Sequence, residues 1–133
     1  MIDHVTLGVS DLGRARAFYD RALIPLGLNR ITRDDHDFAG YGKPGKGWFW
    51  IGAAKEKPTG THVAFTTADR ATVHAFHEAA LAAGGRDNGA PGLRPQYAPT
   101  YYGAFVLDPD GHNIEVVCYA TDETPRADAR ADE

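Results

Sequence analysis

Alternating apolar and polar positions open the chain and predict its first strand. Over residues 2–9, Val5 and Leu7 take one face, and His4 takes the opposite face. Apolar residues then recur at helical spacing over about 11–23, which predicts an amphipathic helix. Three further strands are predicted over residues 28–33, 37–42 and 48–51, separated by short segments rich in turn-forming residues.

The same succession of patterns restarts near residue 61. A strand is predicted over 61–67 and a helix over about 69–83. Residues 86–99 are rich in Gly, Pro and Asn, so we expect a long irregular loop that has room for a short strand and is long enough to form a lid. Two closing strands are predicted over residues 101–107 and 112–119, joined by an Asp-Pro-Asp-Gly turn.

This restart is an internal repeat with an offset of 58 residues. The matched pairs are His4 and His62, Val5 and Val63, Asp11 and Asp69, Phe18 and Phe76, Ala22-Leu23 and Ala80-Leu81, and Gly27 and Gly85. A repeat of this kind predicts an α+β fold of two tandem βαβββ modules, 1–57 and 58–119. Because neither half can bury both faces of its own sheet, we expect one curved eight-stranded mixed sheet with the helices outside. Residues 120–133 are polar and non-periodic, which predicts a mobile tail.

Composition narrows the class of protein. The 133 residues are 43% hydrophobic, enough for one packed domain, and the net charge of −4 without any basic run argues against a nucleic-acid partner. The lone Cys118 excludes an intramolecular disulfide and favours a reducing compartment. No leader and no long apolar run is evident, so we expect a soluble cytoplasmic protein without membrane contact.

Strand parity brings three potential metal ligands to the same face. His4 and His62 lie opposite the apolar residues of their strands, and Glu115 lies on the corresponding face of the last strand. An unpaired carboxylate in an apolar cavity is costly. Two imidazoles and one carboxylate form a ligand set for a divalent ion with open coordination positions. We therefore predict a metal site made by His4, His62 and Glu115.

Several short motifs of the chain resemble those of a known protein family. The residues that carry the resemblance are Asp3-His4-Val5, Val9-Ser10-Asp11-Leu12, Phe18-Tyr19, Thr61-His62-Val63-Ala64-Phe65 and Asp108-Pro109-Asp110-Gly111-His112-Asn113-Ile114-Glu115. They are similar to the vicinal oxygen chelate superfamily, which includes glyoxalases, bleomycin resistance proteins and extradiol dioxygenases. The resemblance implies paired modules, a homodimer, and a divalent ion (Zn, Ni, Mn or Fe(II)) that acts as Lewis acid on two adjacent oxygens of a small-molecule substrate.

The chain departs from the family pattern on the fourth strand. Glyoxalases and epimerases carry a fourth ligand there, whereas this sequence reads Trp48-Phe49-Trp50-Ile51, which weakens the isomerase interpretation. Three ligands favour dioxygenase chemistry instead, but Phe105 stands where those enzymes carry a substrate-binding Tyr. The catalytic candidates are Glu115 and Tyr101. The candidate substrate-binding residues are Trp48, Trp50, Arg94, Tyr101 and Phe105.

Three functions remain open from the sequence. The first is a metalloenzyme, of lyase, isomerase or dioxygenase type, that acts on a small oxygenated substrate. The second is a resistance or binding protein that sequesters a flat compound without turnover. The third is a metal-free relative that retains the two histidines. The presence of all three predicted ligands favours the first, and the replacement of the usual fourth ligand by aromatic residues gives weight to the second.

Overall fold

The computed structural model describes residues 1–121; the predicted tail falls mostly outside this part of the chain. The first module contains β1 (Val5–Val9), α1 (Leu12–Ala22), β2 (Asn29–Arg30), β3 (Phe38–Lys43) and β4 (Lys46–Ala53). The second contains β5 (His62–Thr67), α2 (Arg70–Ala82), β6 (Arg86–Leu93), β7 (Tyr102–Leu107) and β8 (Asn113–Cys118). Within the described segment, no helix is long and apolar enough to cross a bilayer.

The two helices begin in the same way because the repeat preserves their caps. The Asp11 carboxylate accepts a hydrogen bond from the Arg14 amide at 3.0 Å, and the Asp69 carboxylate accepts one from the Thr72 amide at 2.8 Å. Both bonds satisfy an amide that the first helical turn leaves without a partner. After α1 the chain turns back through Gly27, whose φ of 76° is in the left-handed region that favours glycine.

Eight strands and two helices confirm the predicted fold class. The hydrogen bonds divide the strands into two sheets of four, ordered β1-β4-β3-β2 and β5-β8-β7-β6. In each sheet the first and last strands of the module run parallel and the other pairs are antiparallel. The two modules therefore have the same topology, as the sequence repeat predicts.

A single hydrophobic core joins the modules. Leu7 and Phe18 from the first module and Phe76 and Val116 from the second belong to one buried cluster. Helices α1 and α2 contact each other, and each packs on the core side of its own sheet. Within residues 1–121, no helix covers the opposite side of either sheet. We call this side the open face; it carries Thr6 and its neighbours in register on the first sheet and Ala64 and its neighbours on the second.

The turn between β7 and β8 fastens the second module to the first. Asp108, which is 1% exposed, accepts a hydrogen bond from the Tyr19 hydroxyl at 2.5 Å. The Asp110 carboxylate accepts from the Ser10 amide at 3.1 Å. The buried His112 accepts from the Thr61 amide through Nδ1 and donates through Nε2 to the Gly8 carbonyl, so it links β1 to the start of β5. We refer to this segment, residues 108–112, as the inter-module turn.

Two element predictions differ from the structure. Residues 86–93 form strand β6 although their composition predicts a loop. They are held by β7, and the register shifts around Gly89 accommodate the irregular sequence. The first strand begins at Val5, so His4 immediately precedes it.

Candidate metal centre and adjoining cavities

Glu115 lies on the open face of the second sheet, as strand parity predicts. It is paired in register with Ala64 on β5 and with Phe105 on β7, and residues in register point to the same side of a sheet. Its side chain is 1% exposed. A carboxylate this buried is stable only with partners that donate hydrogen bonds or carry positive charge.

The imidazole of His62 supplies one of these partners. Its Nε2 lies 3.2 Å from Oε1 of Glu115. Its Nδ1 lies 3.0 Å from the Asn113 carbonyl oxygen, which can only accept, so Nδ1 carries a proton. In the neutral ring, Nε2 then has a lone pair directed at the Glu115 carboxylate. Two acceptors facing each other at this distance require a proton or a metal ion between them.

Tyr101 supplies the second partner of Glu115. Its hydroxyl donates a hydrogen bond to Oε2, the carboxylate oxygen that His62 does not approach. Burial, together with the hydrogen bond to Glu115, raises the pKa of Tyr101 well above its ordinary value. The phenol therefore stays protonated at neutral pH and remains a donor. Gly103 makes room for this pair, because a Cβ there would lie 3.0 Å from Oε2 of Glu115.

The donor set and its spacing fit a divalent ion. Two donor atoms that each lie about 2.1 Å from one ion, at tetrahedral or octahedral angles, are about 3.0–3.4 Å apart. The 3.2 Å separation of the His62 nitrogen and the Glu115 oxygen falls in this range. The hydrogen bond from Nδ1 to a carbonyl is also the arrangement that orients most histidine ligands. His62 and Glu115 would thus supply two of the ligands.

His4 lies in a different cavity of the same chain. Its Nδ1 is 2.8 Å from the Asp3 carboxylate, which leaves Nε2 available, as in His62. Hydrogen bonds from Lys46 and His4 lower the pKa of Asp3, so this carboxylate is ionised at neutral pH. Among residues 1–121, no group of three or more His, Cys, Asp or Glu side chains is placed to hold one ion. A single chain therefore brings together His62 and Glu115 but does not bring His4 to them.

Trp50 occupies the place in the first module that Glu115 occupies in the second. Trp50 is paired with Thr6, and Glu115 is paired with Ala64, which is the repeat partner of Thr6. The position of the missing fourth ligand is therefore filled by an indole. Trp48, also a substrate-binding candidate, lines a separate cavity of about 350 Å³ between the modules, with Leu26, Leu28, Phe65 and Thr66.

The cavity above Glu115 has a volume of about 370 Å³ and is lined by His62, Tyr97, Tyr101, Phe105 and Glu115. Phe105 forms its apolar wall and stacks on the His62 ring with centroids 6.2 Å apart. Arg94 is not among the lining residues. Its guanidinium lies 5.5 Å from the centroid of the Phe105 ring and donates to the Ala90 carbonyl at 2.8 Å.

Sequence reasoning missed Tyr97 and the role of Asp3. Tyr97 contacts Tyr101 edge-on at 5.1 Å, and its spacing of four residues from Tyr101 was the only available signal. Asp3 precedes His4 directly and orients its ring. His112 proves to be a buried inter-module contact.

Comparisons with known proteins agree with this architecture. The family model described as Glyoxalase/Bleomycin resistance protein/Dioxygenase superfamily matches residues 1–116. A glyoxalase/bleomycin resistance protein from Albidiferax ferrireducens is 30% identical, with 89% of this chain and 98% of that chain covered and a TM-score of 0.75.

Two more distant structures share the fold. A glyoxalase-related enzyme from Fulvimarina pelagi is 22% identical, covers 89% of this chain and 87% of its own, and has a TM-score of 0.67. The lactoylglutathione lyase from Agrobacterium tumefaciens is 19% identical, with 88% and 92% covered and a TM-score of 0.66. No curated protein sequence matches the chain. Repeat, topology and family model together place this chain in the Glyoxalase/Bleomycin resistance protein/Dioxygenase superfamily.

Proposed function

We propose that this protein is a divalent-metal-dependent enzyme that binds a small oxygenated substrate through two oxygen atoms. The observation that carries the proposal is the pair formed by Nε2 of His62 and Oε1 of the buried Glu115, which lie 3.2 Å apart. His4 would complete the ligand set. An ion held there would supply Lewis-acid activation of the two substrate oxygens.

Tyr101 and Phe105 determine the hydrogen bonding and the water access of the Glu115 carboxylate. Tyr101 holds Oε2 of Glu115, so Oε1 is the oxygen that remains for the ion. Phe105 closes one side of the cavity with an apolar ring, which limits the access of water to the carboxylate. Tyr101, whose hydroxyl donates a hydrogen bond to Glu115, is the candidate to hold a proton during turnover.

A second copy of the chain would bring His4 to the site. The open face of each module carries part of the ligand set, which we call a half-site. His4 lines the cavity of the first module, and His62 and Glu115 line the cavity of the second. We infer that two copies associate with these faces opposed, so that His4 of one copy meets His62 and Glu115 of the other. A two-fold symmetric pair would contain two such sites.

The test is metal binding by protein purified without a metal-affinity step. We expect about one Zn²⁺, Ni²⁺, Mn²⁺ or Fe²⁺ per chain by elemental analysis and calorimetric titration. His62→Ala and Glu115→Gln should abolish this binding. His74→Ala is the matched control, because His74 bonds to Tyr102 outside the cavity. Equal binding by His62→Ala and the control would contradict the proposal.

The second candidate is a protein that sequesters a small molecule without turnover. The observation that favours it is Trp50, an aromatic side chain at the place equivalent to Glu115. This function predicts that a bound ligand raises the Tm equally before and after chelation of metal. The enzyme proposal predicts that chelation removes most of this stabilisation.

A further inference from the structure

The open face of the first module carries a fixed aromatic surface. The six-membered ring of the Trp50 indole covers two glycines of the sheet. A Cβ added at Gly40 would lie 2.4 Å from the Trp50 ring, and one added at Gly47 would lie 2.5 Å from it. Only glycine at both positions lets the indole lie against the backbone in this way. We call Trp50, Gly40 and Gly47 the indole platform.

The indole is held in place and is not free to act as a hydrogen-bond donor. Its Nε1 donates to the Gly47 carbonyl at 3.2 Å, so the polar edge of the ring is already satisfied within the sheet. The part of the indole that lines the cavity is therefore its aromatic face. Aromatic faces attract other flat rings in offset or tilted arrangements, and the attraction needs no polar contact.

A cavity of about 400 Å³ lies over the platform. Phe38 stands beside Trp50, with ring centroids 6.2 Å apart and planes inclined at 49°, and is 40% exposed. Asp3, His4 and Lys46 form its polar rim. The volume is in the range of small-molecule sites, and the walls are aromatic on two sides.

We infer that the indole platform selects a substrate whose oxygen-bearing part is joined to a planar conjugated ring. This inference rests on the proposed function, because it assigns the oxygens to the metal site and the ring to Trp50, and the association of two copies would bring these two cavities together. His4 lines the cavity over Trp50, so a ligand bound through its oxygens near His4 reaches the platform. A puckered, saturated ring of the same size cannot stack on the indole.

The test compares two ligands that carry the same two oxygen groups on a flat and on a puckered ring. Because a phenol is also more acidic than an alcohol, the decisive quantity is the change of the preference in variants of the platform. Salicylate and 2-hydroxycyclohexanecarboxylate both present a hydroxyl and a carboxylate on adjacent carbons, but only the first has a flat ring. We expect salicylate to bind the metal-loaded protein about tenfold more tightly by calorimetry. Gly40→Ala, which displaces the indole, and Trp50→Leu should each reduce this preference to less than about twofold. Gly13→Ala in α1 is the control for an added methyl group, since its Cβ makes only an ordinary contact at 3.5 Å.

The two tryptophans of the chain provide a second readout with an internal reference. In protein labelled with 5-fluorotryptophan, Trp48→Phe assigns the two ¹⁹F resonances. Salicylate should shift the Trp50 signal through its ring current and leave the Trp48 signal in place, because Trp48 lines another cavity.

The outcomes separate this inference from the proposed function. Equal affinity for both ligands in protein that binds metal would overturn the platform and leave the metal site standing. Failure to bind metal, with the salicylate preference and the Trp50 shift retained, would overturn the metal site and support the platform. An unmoved Trp50 resonance at saturating salicylate would also overturn the platform.

Discussion

At the scale of single residues, the hydroxyl of Tyr101 decides which oxygen of Glu115 is free. Tyr101→Phe removes the donor to Oε2 while it keeps the ring and its contacts with Tyr97 and Tyr119. Loss of a hydrogen bond to a ligating carboxylate typically weakens metal affinity by about 10–100-fold. We expect a decrease of this size, measured by competition with a chromophoric chelator.

The neighbouring residue offers a matched control for Tyr101. The Tyr102 hydroxyl contacts Nε2 of His74 at 2.6 Å and does not line the cavity above Glu115. Tyr102→Phe should therefore leave metal affinity unchanged. If both variants bind metal as the unmodified protein does, the hydrogen bond between Tyr101 and Glu115 has no part in ligation.

The convergence of His62 and Glu115 could be predicted from sequence because it depends on local rules. The alternation of side chains along a strand decides which face of the sheet each one occupies. The turn before β8 sets the strand register that puts Phe105 opposite Glu115. The place of His4 depends instead on how two modules dock, which strand parity does not encode. The tautomer of His62 could not be predicted from the sequence either, because the partner of its Nδ1 is a backbone carbonyl of another strand.

At the scale of elements, the inter-module turn adds polar contacts between two modules whose sheets are separate and whose hydrophobic core is shared. Asp108 accepts hydrogen bonds from the Tyr19 hydroxyl and from the amides of Asp110 and His112. Burial and the adjacent Asp108 carboxylate raise the pKa of Tyr19 far above its ordinary value, so the phenol remains a donor. Buried donors that lose their acceptor remain costly, which makes this turn sensitive to substitution.

We expect Asp108→Ala to lower the free energy of unfolding by about 2–3 kcal/mol, because it leaves three donors without their acceptor. Tyr19→Phe should cost about 1 kcal/mol, since Asp108 keeps its two amide donors. Urea denaturation followed by circular dichroism measures both, and the double variant should be less than additive.

The control for the turn is Asp87→Ala. Asp87 is an exposed carboxylate whose pKa is lowered by its hydrogen bond to His77, and a surface pair of this kind contributes little to stability. An Asp108 variant as stable as this control would show that the turn does not fasten the modules together.

Strand β6 illustrates where element prediction from composition fails. Gly89, Pro91 and Gly92 indicate a loop, yet the segment pairs with β7. It lies at the edge of its sheet, where a proline that lacks an amide hydrogen is tolerated and register shifts absorb the irregular backbone. Propensity describes the isolated segment, whereas the partner strand supplies the hydrogen bonds that decide its conformation.

At the scale of the whole molecule, the two open faces are unusually aromatic for a surface that meets only water. Phe38, Tyr119 and Tyr97 are 40%, 52% and 63% exposed. Several exposed aromatic side chains on one side of a protein are typical of a binding or association face. Opposed faces of two copies would cover it and would also complete the three-ligand set.

Complementation between two defective variants distinguishes a site shared between copies from a site within one chain. His4→Ala damages one half-site and Glu115→Gln damages the other, so each variant alone should bind no metal tightly. In a mixed pair with a shared site, the intact His4 of one chain would meet the intact His62 and Glu115 of the other. Co-expression of differently tagged chains, followed by tandem purification, should therefore restore about half an equivalent of metal per chain.

The decisive control for complementation mixes His62→Ala with Glu115→Gln. Both changes damage the same half-site, so every site in the mixed pair lacks either His62 or Glu115, and binding should stay absent. Assembly within one chain predicts no recovery in either mixture, because each chain would keep its own defect. Metal binding that recovers only in the first mixture would require that His4 comes from one copy and that His62 and Glu115 come from the other. We expect this result because the two groups line separate cavities within one chain.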